Sequence, residues 1–161
     1  MSVSPEVGAL VRGARRIAKL IVQRRQSKPI DTTDELAGLI RPVAGGGNPQ
    51  QTLARVFQAL RLEVNRELEN LPRALNAGLD LMNPGGRMVV ISYHSLEDRI
   101  VKQMFRTLSA GCICPRDLPV CVCSSRPQVR ILTSKPVMAK EDELAINQRS
   151  RSAKLRAVEK L

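Results

Sequence analysis

Between Asn83 and Lys102 the sequence NPGGRMVVISYHSLEDRIVK changes its periodicity twice, and no other stretch constrains the fold as much. NPGG stops the helical pattern before it and supplies a turn. Val89, Val90 and Ile91 are then consecutive apolar residues, the pattern of a strand covered on both faces. SLEDRIVKQMFRTLSA reads as a helix with Ser95 as N-cap, Glu97 and Asp98 in the first turn where the helix dipole favours anions, and Gly111 as stop. Helix, turn, strand and helix in succession predict α/β architecture.

The flanking patterns extend this reading. SPEVGALVRGARRIAKLIVQRRQ opens with Ser4 as N-cap and Pro5 at the first helical position, and its apolar residues recur at three- and four-residue steps opposite a cationic face. In TTDELAGLIR, Thr32 and Glu35 have the spacing of a capping box. PVAGGGNPQQ is too rich in Gly and Pro for an element interior, so a loop and a boundary near residue 50 are expected there. From Gln51 a helical pattern runs to Leu71, with Pro72 as kink or new start, and RALNAGLDLM continues it. VRILTS reads as a short strand and KPVMAKEDELAINQRSR as loop with a turn or two of helix. SAKLRAVEKL reads as a last strand, with a terminal helix as competitor.

Charge narrows the function classes. Against 15 Asp and Glu stand 26 Lys and Arg, a formal charge of +11, which points to a polyanionic partner. The aromatic residues are Phe57, Tyr93 and Phe105, too few for a base-stacking platform, so contact with nucleic acid should be mainly to phosphate. Arg15, Arg16, Arg24, Arg25, Arg149 and Arg151 are the candidates for RNA-backbone contact, with solubility as the plainer role for the same charges. No apolar run approaches the roughly 20 residues of a membrane span, and MSVSPEVGAL lacks the layout of a signal peptide. A cytoplasmic protein without membrane contact is expected, whose cysteines are thiols or metal ligands before they are disulfides.

All four cysteines fall in CICPRDLPVCVC, read as a hairpin over 112–123. Sulfurs two residues apart on extended backbone point to one side, and a turn through PRDLP would gather Cys112, Cys114, Cys121 and Cys123 as a tetrahedral zinc site. Reduced, partly buried thiols are the alternative.

VFQALRLEVNREL, PGGRMVVISYHSLEDRIVK and NQRSRSAKLR, preceded by GARRIAKLIV and TTDELAGLI, resemble in order and spacing the C-terminal half of the bacterial ribosomal RNA small subunit methyltransferase H family. The resemblance covers about residues 10 to 161. It implies an S-adenosylmethionine-dependent enzyme methylating N4 of a cytidine in the decoding region of small-subunit 16S rRNA, on a class I Rossmann-like domain with a helical insert. Residues 1–50 would end the insert, and 51–161 would supply the late helices and last three strands. The family's G-x-G-G-H turn and its D-L-G-x-S-S-like segment are not in this sequence, and Gly45 to Gly47 follow Pro42 and a short helix instead of a strand. No cofactor-binding residue is therefore expected in this chain, which would be inactive alone and complete only with an N-terminal half supplied separately. An uncovered sheet edge would favour a homodimer or aggregate. The CICP and PVCVC segments vary among family members, which implies a local staple and no part in the reaction.

Methyl transfer needs an amine held in line with the donor and a polar group to orient it or take its proton. Ser92 and His94 are the catalytic candidates, at the C-terminal end of an expected parallel strand where α/β folds place ligands. Arg61, Asn65, Tyr93 and Ser95 are the candidates for the substrate pocket. The structural alternative makes Ser95 and Asp98 a capping box and His94 a strand-end residue bonding backbone. A non-catalytic, basic RNA-binding or ribosome-binding module, zinc-stapled, is the alternative for the whole chain.

Overall fold

The computed structural model describes residues 8, 10, 11, 13–44, 48–112, 114, 123 and 125–161. The chain divides into two compact units, Met1–Glu67 and Leu68–Leu161.

The first unit is helical. Helix α1, Ala14–Ser27, follows Gly13, whose φ of 78° lies in the left-handed region that glycine adopts without strain. Ser4 and Pro5, the expected start, lie outside the described residues. Helix α2, Thr33–Ile40, has the expected capping box: Thr32 Oγ1 accepts from the Glu35 N–H at 3.1 Å and the Glu35 carboxylate accepts from the Thr32 N–H. The same carboxylate takes the Asp31 N–H at 2.9 Å and Lys28 Nζ at 3.2 Å, and these donors hold Glu35 below the usual carboxylate range. After a 3₁₀ turn at Arg41–Val43, helix α3 spans Pro49–Val64, capped by Asn48 with Pro49 at its first position, two residues before the expected start. Ile17, Ala37, Ile40, Leu53, Val56, Ala59 and Leu62 are buried in this unit.

The helical pattern does not run on to Pro72. It breaks at Asn65 and Arg66, where Arg66 has φ 50°, and resumes as α4, Glu67–Leu81, with Pro72 inside it. Side chains hold the break: the Glu67 carboxylate accepts from Arg61 Nε and Asn65 Nδ2, each at 3.0 Å, and the Arg66 N–H donates to the Glu63 carbonyl at 3.2 Å. Pro72 lies in the second turn of α4, where its missing N–H costs one bond to the Leu68 carbonyl.

The second unit is a small sheet with helices. In chain order come β1 (Arg87–Ser92), α5 (Ser95–Ser109), β2 (Val129–Ile131), β3 (Val137–Met138), α6 (Glu141–Ile146), a 3₁₀ helix at Gln148–Ser152, and β4 (Lys154–Lys160). The C-terminal segment is thus a strand and not a terminal helix, and it is central: β1 runs along one edge, with β2 and β3 both paired to it as well. All pairings are antiparallel, with Val89 opposite Ala157, Ile91 opposite Leu155 and Ile131 opposite Val158. Leu75 and Leu79 of α4, Val101 and Phe105 of α5, Val129 and Val158 form the core, against which Met88 and Val90 of β1 pack. Burying each such side chain contributes about 1.5–3 kcal/mol. Lys160 Nζ donates to the Leu79 and Met82 carbonyls, both at 2.8 Å, and closes the C-terminal end of α4.

Two expectations for β1 are corrected. Its only partner among the described residues is antiparallel, and it is covered on one face. Burial alternates along it, leaving Val89 and Ile91 more than half exposed, because α4 and α5 both feed the core on the Met88 and Val90 side. No described helix is long and apolar enough to cross a membrane.

Candidate functional site at the end of β1

Ser92, Tyr93, His94 and Ser95 form the turn from β1 into α5, so the structure brings these four candidates together. Ser92 is buried and its hydroxyl donates to the Lys154 carbonyl at 3.4 Å, tying the end of β1 to β4. Tyr93 is 59% exposed.

The cap of α5 is His94 and not Ser95. His94 has extended backbone and its Nδ1 accepts from the Glu97 N–H at 3.4 Å, while Ser95 is already the first helical residue. An imidazole reaches the third N–H of the helix as a serine side chain would, and the Glu97 carboxylate returns to take the Tyr93 N–H at 3.1 Å. With Nδ1 accepting, the neutral ring carries its proton on Nε2. Glu97 Oε1 lies 3.1 Å from that nitrogen, and Nε2 is buried without a hydrogen-bond partner among the described residues.

Asp98 does not join the cap. It is buried, and Arg156, also buried, grips it with Nε to Oδ1 at 2.6 Å and Nη2 to Oδ2 at 3.3 Å. Lys154 Nζ stands 3.7 Å from Oδ2. The Arg156 guanidinium is the main reason the Asp98 carboxyl is held below its usual range; burial opposes it, and Lys154 and Lys102 add to it. This fork fastens β4 to the first turn of α5, directly behind the His94 turn. Sequence reasoning missed it, although Arg156 carried a signal. It falls at an inward position of an amphipathic strand, where a charge needs a buried counter-charge.

The other candidates belong to other elements. Arg61 and Asn65 are both held by Glu67 in the helical unit, Arg61 at the end of α3 and Asn65 as its C-cap. Arg15, Arg16 and Arg25 are exposed on α1 and Arg24 is half-buried there; Arg149 and Arg151 are exposed on the second 3₁₀ helix. On the outer face of the sheet Glu159 pairs across three strands with Arg87 and Arg130, and the Arg87 hydrogen bond is the first cause of its lowered pKa. Cys112, Cys114 and Cys123 converge after α5; Cys121 lies outside the described residues.

A family model described as the MraW methylase family matches residues 9–161. Over 153 residues the chain is 56% identical to the Ribosomal RNA small subunit methyltransferase H of Pelobacter propionicus and 52% identical to that of Geotalea daltonii. It is 47% identical over 154 residues to the protein of that name from Clostridioides difficile. The alignments take in 93%, 93% and 92% of this chain and 49% of each relative, so the chain spans about half the length of the curated relatives it matches. A match from residue 9 to residue 161, which takes in the SYHSLEDR turn and its β4 clamp, places the chain in its family: it belongs to the MraW methylase family.

Proposed function

We propose that this chain is the rRNA-facing, C-terminal part of an enzyme that transfers a methyl group from S-adenosylmethionine to a cytosine N4 of small-subunit 16S rRNA, in the cytoplasm where ribosomes are assembled. The observation that carries this reading is the match of nearly the whole chain to relatives named ribosomal RNA small subunit methyltransferase H. Residues 51–161 are then the C-terminal part of a Rossmann-like domain, and residues 1–50 the end of its helical insert.

The residues present do not fit the methyl donor. Among the described residues no glycine-rich turn joins a strand to a helix, so these residues offer no cradle for the adenosyl group. What this chain contributes is the substrate side. Ser92, Tyr93, His94 and Ser95 line the target-base pocket at the C-terminal end of β1, with the exposed Tyr93 ring available to the base. His94, the cap of α5, and Ser92, tied to β4, are the polar side chains of that turn assigned to orienting the base. Arg61 and Asn65 serve the same substrate, and the exposed arginines of α1 and of the second 3₁₀ helix hold phosphates with little reading of sequence. The cysteines take no part in the transfer.

The test is reassembly. This chain is mixed with the N-terminal half of the Pelobacter propionicus relative, undermethylated small subunits and radiolabelled S-adenosylmethionine. Label should enter 16S rRNA only when both halves are present. If the relative's own C-terminal half restores methylation and this chain does not, the enzyme reading fails. Salt-sensitive binding of this chain to small subunits in the same samples would then favour a non-catalytic basic RNA-binding module, the reading to which the charge of +11 lends weight.

A further inference from the structure

We propose that Cys112, Cys114 and Cys123 form a thiolate site for zinc, separate from the methyl-transfer chemistry. The three sulfur atoms all lie within 4.8 Å of one another. Cys123 Sγ is 3.7 Å from Cys112 Sγ, which is close to the ~3.8 Å edge of a tetrahedron whose corners stand ~2.3 Å from a central zinc. A disulfide between the same two sulfurs would need about 2.0 Å. The Cys114 N–H donates to Cys112 Sγ at 3.4 Å, which holds the two residues of the first pair together. Soft thiolates select zinc over the hard cations that carboxylates take.

Hydrophobic packing does not explain why these side chains meet. Cys112 is exposed, Cys114 and Cys123 are half-buried, and none belongs to the core of the sheet unit. The segment that carries them leaves at the end of α5 and returns before β2. Its two roots are already tied, the Gln128 N–H donating to the Leu108 carbonyl at 2.8 Å and the Leu161 N–H to the Gln128 carbonyl at 3.0 Å. A metal bridging Cys112 to Cys123 would therefore join the two ends of the connection between α5 and β2, next to residues that the sheet has fixed. Its role is that of a structural staple, with no ligand exchange required of it. The chain's one other cysteine, Cys121, stands two residues before Cys123 in the sequence.

The experiment uses the full chain purified without chelator. Metal analysis should find about one zinc per chain, and cobalt added to the metal-free protein should give the intense near-ultraviolet absorption of thiolate-to-cobalt charge transfer. C112S and C123S should each weaken zinc binding at least about tenfold, with the far-ultraviolet circular dichroism of the wild type retained. Zinc well below one equivalent together with a featureless cobalt titration of the wild-type chain overturns the site. So does a triple variant, C112S/C114S/C123S, that takes up zinc as tightly as the wild type. Cobalt is read on the unaltered chain, so a variant that fails to fold cannot decide the result, and neither readout depends on methylation.

Discussion

Asp98 and Arg156 are 58 residues apart in sequence and buried together, and their pairing has an asymmetric energy. Removing one member leaves the other charge buried with a poorer partner, which costs about 3 kcal/mol, whereas replacing both by apolar side chains of similar volume is far less damaging. Arg156→Met alone should therefore destabilise the chain by about 3 kcal/mol in a denaturant melt, and Asp98→Leu combined with Arg156→Met should recover most of that loss. The pH dependence has a definite sign. The folded-state pKa of Asp98 is depressed, chiefly by Arg156, so its contribution to stability is complete above the unfolded value of about 4 and disappears as pH falls through the lower folded value. Asp98→Asn lacks that contribution at every pH. The stability gap between wild type and Asp98→Asn should thus be full at pH 7 and narrow below about pH 4, and a gap that stays constant down to pH 2 would show that the carboxylate charge is not what Arg156 holds.

At the scale of elements, His94 occupies two positions at once: it caps α5 and stands at the end of the strand proposed to hold the base. Substitution can separate these roles, because Asn is among the best N-caps and carries no imidazole. His94→Ala should cost about 1 kcal/mol of stability, and His94→Asn should restore the melt without restoring methylation in the reassembled enzyme. Full activity of His94→Asn would reduce the histidine to a cap. The elements themselves were readable where local chemistry decides them. Thr32 and Glu35 announced α2, the NPGG turn announced the entry to β1, and the alternation of SAKLRAVEKL announced β4. The break at Asn65 and Arg66 was not readable, since Glu67, Arg61 and Asn65 make it by side-chain bonds that no periodicity encodes, while Pro72, the obvious breaker, fits inside a helix. Likewise the His94 cap was hidden behind Ser95, the more usual capping residue, and the order of strands around β4 depends on pairings far apart in sequence.

On the scale of the whole molecule, the outer face of the sheet sets how the chain behaves alone. Directly paired residues share a face, so Val89, Ile91 and Val137 stand on one side with Ala157 and Leu155 between them, and the first three are 56%, 53% and 54% exposed. Strand β1 also ends the path of pairing, which leaves its outer row of N–H and C=O groups without a strand neighbour among the described residues. An apolar face next to an unpaired edge is a template for another strand, and relatives about twice as long have further chain with which to cover it. The chain alone should therefore self-associate at tens of micromolar in sedimentation velocity, and the N-terminal half of a relative should suppress that association. Lysine at outward positions of an edge strand opposes pairing through charge, so Val89→Lys with Ile91→Lys should shift the chain toward monomer. The Met88 and Val90 side of β1 is untouched by these changes, so the cooperative melt of the core should survive them. A wild-type chain that sediments as a monomer and melts cooperatively would mean that this face is tolerated by water as it stands, and that nothing is required to cover it.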